Sequence, residues 1–197
     1  MDNYVYIIGN KIYINLTNRC SNNCDFCIRQ GRQGMENTTL WIKDEPDAED
    51  VIEQLPQNLD DYDSEVVFCG FGEPTYNLET LEDVASYLHC VDKTTRINTN
   101  GQANLIHNAD VTDVIVDSCD VINVSLNECN AQKYQQHCKS IYGAAAFDEL
   151  LNFAKTCKQR GGNVVFSVVD VIGDKDVAMC QQLADSLRIP LRVRVKE

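Results

Sequence analysis

Cys20, Cys24 and Cys27 lie close together in "NRCSNNCDFCIR", spaced C-x3-C-x2-C. Three thiolates on one short loop are a metal-binding set. A structural zinc site wants four ligands, usually as two separated pairs. No further Cys or His follows this loop at pair spacing; the next candidates are Cys69, His89 and Cys90. A [4Fe–4S] cluster also has four corners, normally all held by Cys. Three protein ligands therefore leave one iron open to a substrate or cofactor. A second motif, "FCGFGEPTYN", follows a strand-like stretch. Gly70 and Gly72 permit close backbone approach to a ligand, Glu73 adds a carboxylate, and Pro74 stiffens the turn. Such a turn is weak evidence alone and gains weight from its position after a strand and after the cysteine loop.

Together these motifs resemble the radical S-adenosylmethionine (SAM) superfamily. The resemblance rests on the cysteine spacing with Phe26 before the last Cys and on the Gly-Glu-Pro turn, and it covers essentially the whole chain. "KIYINLTNRCSNNCDFCIR" and "FCGFGEPT" look most like the small TatD-associated radical SAM proteins. The resemblance implies that Cys20, Cys24 and Cys27 bind a [4Fe–4S] cluster whose open iron takes the amino and carboxylate groups of SAM. Phe26 would lie near the adenine. Gly70, Phe71, Gly72 and Glu73 would meet the methionine amino group. Asn98 or Asn100 and Ser125 match positions that contact ribose or carboxylate. Phe71 replaces the first of two glycines usual before Glu, and Asn127 stands where many relatives have Asp. The implied reaction is reductive cleavage of SAM to a 5′-deoxyadenosyl radical that abstracts a substrate hydrogen. It calls for an electron donor such as flavodoxin or ferredoxin, and the subfamily name suggests a link to a TatD-type hydrolase.

The elements that must position these residues are legible from periodicity. "VYIIGNKIYINL" reads as a hairpin turning at Gly9-Asn10. Strand-like stretches then alternate with helical ones: strands at 65–69, 95–98, 121–126, 163–171 and 191–195, and helices within 44–57, 77–90, 109–119, 146–162 and 174–188. About six βα units argue for a parallel sheet with helices on one side. The expected fold is α/β, an open partial (β/α)6 barrel with an N-terminal β-hairpin, because a full eight-unit barrel needs about 250 residues. Residues 1–197 are expected to form one domain. The cysteine loop follows the first barrel strand, where α/β folds place their chemistry.

Polar residues alternate with apolar ones along the strands. Tyr13 and Asn15, Arg96 with Asn98 and Asn100, Asn123 with Ser125 and Asn127, and Arg192 with Arg194 each oppose an apolar row. The apolar rows must face the helices, which sends the polar rows into the lumen. Tyr13, Asn15, Arg96, Asn123, Arg192 and Arg194 are thus candidate substrate contacts. The arginines suggest a small, polar, anionic substrate, since a guanidinium fork matches carboxylate or phosphate. The alternative for Arg192 and Arg194 is protection of an exposed edge strand.

Net charge is −13, so general nucleic-acid binding is disfavoured. No apolar run approaches the roughly eighteen residues of a membrane span. The start lacks a basic region and a cleavage site, so a cytoplasmic location is expected. Ten cysteines without an export signal read as metal ligands and free thiols rather than disulfides. Cys90, Cys157 and Cys180 read as core. His89, His107 and His137 read as surface or cap residues, and Asp110, Asp113, Asp117 and Asp120 as a solvated face. Trp41 could pack, cover the site or meet a partner. Two other functions compete with a small-molecule radical SAM enzyme: an activase that places a radical on a partner protein, and a non-catalytic iron–sulfur or zinc module.

Overall fold

The computed structural model describes residues 2–35 and 38–195. Strands β1 (Val5–Ile8) and β2 (Lys11–Ile14) form the expected antiparallel hairpin, with Gly9 at φ +60° in its turn. Short strands β3 (Gly34–Met35) and β4 (Thr38–Thr39) pair with each other after the cysteine loop. Then come α1 (Ala48–Gln54), β5 (Glu65–Phe68), α2 (Leu78–Cys90), β6 (Thr94–Thr99), α3 (Ala103–His107) and α4 (Thr112–Ser118). The chain continues through β7 (Val121–Ser125), α5 (Ala131–Cys138), α6 (Ala145–Gln159), β8 (Val164–Val169), α7 (Asp174–Leu187) and β9 (Leu191–Arg194).

The main sheet runs β1-β2-β5-β6-β7-β8-β9, and every pair after the hairpin is parallel. Six parallel strands in chain order, with β1 and β9 as unjoined edges, make an open partial barrel. In β2 and β5 to β8 the apolar rows face the helices as the alternation requires; at β9 they do not, since Val193 and Val195 are exposed at the sheet edge. Ile12, Ile14, Phe68, Ile97, Ile122, Val124, Phe166 and Val168 are fully buried in one core with Leu81, Leu88, Leu150 and Phe153 from α2 and α6.

Local signals explain the element ends. Asp47 caps α1 through a reciprocal capping box with Asp50. Gly161 follows α6 at φ +92°, a conformation that suits glycine. Sequence periodicity missed α3 and α5. Helix α5 is polar, with only Tyr134 and Cys138 buried, so its apolar stripe is too thin to show. Its capping signal was present: Asn130 accepts a hydrogen bond from Lys133 N at 3.0 Å. Cys157 and Cys180 are buried as expected, but Cys90 is exposed, because it ends α2 on the side away from the sheet. No helix among the described residues is long and apolar enough to cross a membrane.

Candidate active site

The cysteine loop leaves β2 at the C-terminal mouth of the barrel and is tied down on three sides. On the first, Glu73 N donates to Arg19 O at 2.8 Å, and Arg29 Nη1 and Nη2 reach the carbonyls of Asn18 (3.2 Å), Phe71 (3.4 Å) and Asn22 (3.3 Å). On the second, the end of α5 receives the loop: Asn23 N donates to Cys138 O and Asp25 N to His137 O, both at 2.9 Å. Helix ends leave carbonyls without intrahelical partners, and here loop amides satisfy two of them. On the third, a buried polar network lies beneath the loop. Tyr134 Oη accepts from Asn22 Nδ2 and Gln102 Nε2, each at 2.9 Å, and Ser140 Oγ donates to Gln102 Oε1 at 2.8 Å. Asn100 Nδ2 reaches Ser21 Oγ at 2.9 Å.

All three thiols are free and partly exposed. Cys20 Sγ accepts from Asn22 N at 3.4 Å. Burial, reinforced by the Glu73 charge, pushes the Cys20 thiol up to about 12. A hydrogen bond with Cys138 and then burial raise Cys24; burial raises Cys27. Arg29 opposes the shift at each of the three. The thiols are therefore protonated until a metal displaces the protons.

A cavity of about 830 Å³ opens beside this loop. Cys24, Phe26 and Cys27 line it at one end; Tyr13, Arg96, Asn98, Asn123, Arg192 and Arg194 line it along the sheet. Tyr6 stacks on Tyr13 with ring centroids 5.2 Å apart and donates its hydroxyl to Cys69 O at 2.9 Å. Arg96 Nη1 lies 3.4 Å from Asn98 Oδ1, and its Nε forms an ion pair with Glu65 at 3.2 Å without hydrogen-bond alignment. A second cavity of about 290 Å³ shares Tyr13, Arg96, Asn123 and Arg192 and continues toward Lys11 and Glu65 at the strand starts.

Several expected contacts lie elsewhere. Asn15 is fully buried and does not line the cavity: its Nδ2 donates to Leu40 O at 2.8 Å and its Oδ1 accepts from Phe71 N at 3.2 Å. Gly70 and Gly72 make room for neighbouring protein atoms. A Cβ at Gly70 would meet Asn15 Oδ1 at 1.9 Å, and one at Gly72 would meet Thr17 O at 2.2 Å. Glu73 is buried with both oxygens engaged. Oε1 accepts from Thr99 Oγ1 (2.7 Å), Thr75 Oγ1 (2.9 Å) and Thr75 N (3.4 Å), and Oε2 from Asn100 N (2.7 Å). The carboxylate thus clamps its turn to the end of β6. Phe71 is buried with Tyr6 and Leu40. Trp41 packs edge-on against Phe71 at 5.2 Å and donates Nε1 to Arg32 O. Asn100 and Asn127 are buried off the cavity lining; Asn127 has φ +56° and a buried Oδ1 without a hydrogen-bond partner. Ser125 sits beside Ser167 in the ladder, also off the lining.

The remaining polar residues have structural partners. His89 contacts Asp120 at 3.0 Å, and His107 Nε2 lies 2.7 Å from Thr75 O. Arg160 pairs with Asp110 and Asp113 at 2.9 Å each, so the acidic face is partly neutralised.

A family model described as the Radical SAM superfamily matches residues 14–186. The chain belongs to the radical SAM superfamily. Members of this family use a [4Fe–4S] cluster and SAM. No curated protein matches the sequence. Among solved structures, SuiB from Streptococcus suis bound to S-adenosylmethionine is 17% identical with a TM-score of 0.69, over 94% of this chain and 38% of that one. A radical SAM methyltransferase from Sphaerobacter thermophilus is 15% identical with a TM-score of 0.63, over 97% and 68%. Native anSMEcpe with bound AdoMet is 14% identical with a TM-score of 0.66, over 94% and 50%. At such identities the likeness is one of fold. The chain spans about two fifths of the length of SuiB.

Proposed function

We propose that Cys20, Cys24 and Cys27 hold three irons of a [4Fe–4S] cluster and leave the fourth to SAM, for reaction with a small anionic substrate in the barrel lumen. The observation that carries the reading is one cavity bordered by Cys24 and Cys27 at its mouth and by Arg96, Arg192 and Arg194 along its wall. The residues fit the group: three free thiols on one loop, braced from three sides, supply soft sulfur donors and no fourth ligand. When bound, cluster and SAM supply a 5′-deoxyadenosyl radical that takes hydrogen from the substrate.

The chain's own residues bind, orient and shield. Phe26 offers an aromatic face for adenine at the mouth. Carbonyls and amides of the turn Gly70–Glu73 stand beside the loop, held there by Glu73 from beneath. Asn98 faces the cavity and is the asparagine of its strand that supports a direct SAM contact; Asn100 acts through Ser21. Asn127, just past β7, brings a buried carbonyl oxygen that would accept from a ribose hydroxyl, with Ser125 two residues earlier at the strand end. Tyr13, Asn123 and the arginines would hold the substrate. A cavity of about 830 Å³ suits a metabolite, which favours a small-molecule substrate over a partner protein.

The reading requires an external one-electron reductant of the flavodoxin or ferredoxin kind and a reducing compartment such as the cytoplasm. The wording of the cysteine loop and turn supports placement with the TatD-associated members. Anaerobically reconstituted, reduced protein should release 5′-deoxyadenosine and methionine from SAM. Protein with full iron that never cleaves SAM would contradict the proposal.

A further inference from the structure

The lumen does not end at the large cavity. Below it lies the chamber of about 290 Å³, reached past Tyr13, Arg96, Asn123 and Arg192, which line both spaces. Lys11, Glu65 and Val121 are the first residues of β2, β5 and β7, so this chamber sits at the strand starts, at the end of the barrel opposite the cysteine loop. Three cationic side chains line it, Lys11, Arg96 and Arg192, with one carboxylate, Glu65. Lys11 and Arg96 share that carboxylate, at 3.5 Å and 3.2 Å, and Lys11 also lies 3.7 Å from Asp63. The Arg96 side chain is only 12% exposed, yet its Nε has no aligned hydrogen bond and its Nη1 meets Asn98 Oδ1 at 3.4 Å. Among the described residues, no carboxylate pairs with Arg192. Strand-start ion pairs can serve stability alone, but such a role needs neither a chamber nor a third cation. In a protein of net charge −13, a walled space where cations outnumber their counter-ions is a local attractor for anions.

We propose that the lower chamber is an oxyanion subsite, in which Lys11, Arg96 and Arg192 hold the terminal carboxylate or phosphate of an elongated substrate. The substrate's part rests on the proposed function; the subsite rests on the chamber alone. A guanidinium fork meets either oxyanion at two points, and an ammonium adds a compact charge. Glu65 holds Lys11 and Arg96 in place and leaves donors over, since Lys carries three and Arg five. At about 3.3 Å per residue, the start of β2 lies roughly 10 Å from its end, and the cysteine loop begins farther on. A molecule that reaches both Lys11 and the space beside Cys24 and Cys27 is therefore extended. Its anionic group lies at the end remote from the carbon that loses hydrogen.

The test is calorimetry on the full reconstituted chain, with inorganic phosphate and with succinate at fixed ionic strength. The parent should bind at least one of them; tighter phosphate assigns a phosphate end to the substrate, and tighter succinate a carboxylate end. Lys11→Met should weaken that binding by about fivefold, between the values for a neutral and a charge-assisted hydrogen bond. Lys155→Met, which removes one charge from the exposed side of α6, should leave it unchanged. An unchanged affinity in Lys11→Met overturns the inference, as does an equal loss in Lys155→Met or a parent that binds neither anion. A loss in Arg194→Leu with none in Lys11→Met places the anion in the upper cavity and also overturns it. If circular dichroism shows Lys11→Met unfolded, Arg192→Leu decides by the same measure: weaker binding supports the inference and equal binding overturns it. SAM cleavage by the same preparation reads the functional proposal separately. Lys11-dependent binding without cleavage upholds the subsite and defeats that proposal.

Discussion

The side-chain amide of Asn15 lies against the Cα of Gly70, so that a Cβ added there would fall 1.9 Å from Asn15 Oδ1. The same oxygen accepts Phe71 N, which locks the first strand end to the turn after the second. Gly70→Ala should cost about 1–3 kcal/mol of stability, the range for overpacking a filled site. Gly72→Ala should cost more, because its Cβ would meet the backbone carbonyls of Thr17 and Arg19, which cannot rotate away. Denaturant melts of the metal-free protein read both. In the pair Asn15→Ala/Gly70→Ala the loss should be less than the sum of the separate values, since the first change removes the two closest of the atoms the new Cβ would meet and leaves only Cβ at 2.8 Å.

Replacing Cys20, Cys24 or Cys27 singly by Ala should abolish cluster absorbance and bound iron, while Cys69→Ala, at another part of the cavity wall, should retain both. Full iron in Cys24→Ala would remove it from the ligand set.

Glu73 gives a pH signature. Burial raises its carboxyl above the ordinary 4.5, partly offset by bonds from Asn100, Thr99 and Thr75. The folded state then binds its proton more readily than the unfolded state does. Its contribution is fully present below pH 4.5 and is lost as pH rises through the folded value. Stability of the parent should therefore carry a downward component above that point, and Glu73→Gln should remove it. An identical pH slope in the two proteins would show that Glu73 does not titrate there.

Tyr134→Phe removes the acceptor shared by Asn22 and Gln102. Two buried amide donors lose a partner, at a cost of about 1–3 kcal/mol. Since Asn22 lies in the cysteine loop, the variant should also load iron more slowly; a thermal melt and the rate of reconstitution measure the two effects.

Inorganic pyrophosphate serves as a probe of the lumen. Calorimetry should show binding to the parent and at least about tenfold weaker binding to Arg192→Leu and to Arg194→Leu, consistent with a charge-assisted hydrogen bond. SAM cleavage should persist in both. Equal binding in all three proteins would leave edge protection as the role of these arginines.

The fold was legible in the sequence because alternation and helical periodicity record burial directly. The rows Ile12–Ile14, Ile122–Val124 and Phe166–Val168 could face only the helices, which sent Tyr13, Arg96, Asn123 and Arg192 inward. The cysteine triplet was legible for a different reason: its chemistry lies within one loop, so chain spacing is spatial spacing. Asn15 was misread and the partners of Glu73 went unseen, because a polar residue beside a motif looks available until its partners are known. Those partners, Leu40 and Phe71 for Asn15 and Thr99 and Asn100 for Glu73, come from distant parts of the chain.

By itself, then, the sequence determined the βα order, the cysteine loop and the inward rows, each a matter of local period or short spacing. Only the tertiary structure decided what stands behind the loop. Helix α5 carries too few apolar residues to announce itself, yet its last two carbonyls hold Asn23 and Asp25. Such contacts join residues more than a hundred positions apart. They follow from how the strands stack and the helices close over them, which no local pattern encodes.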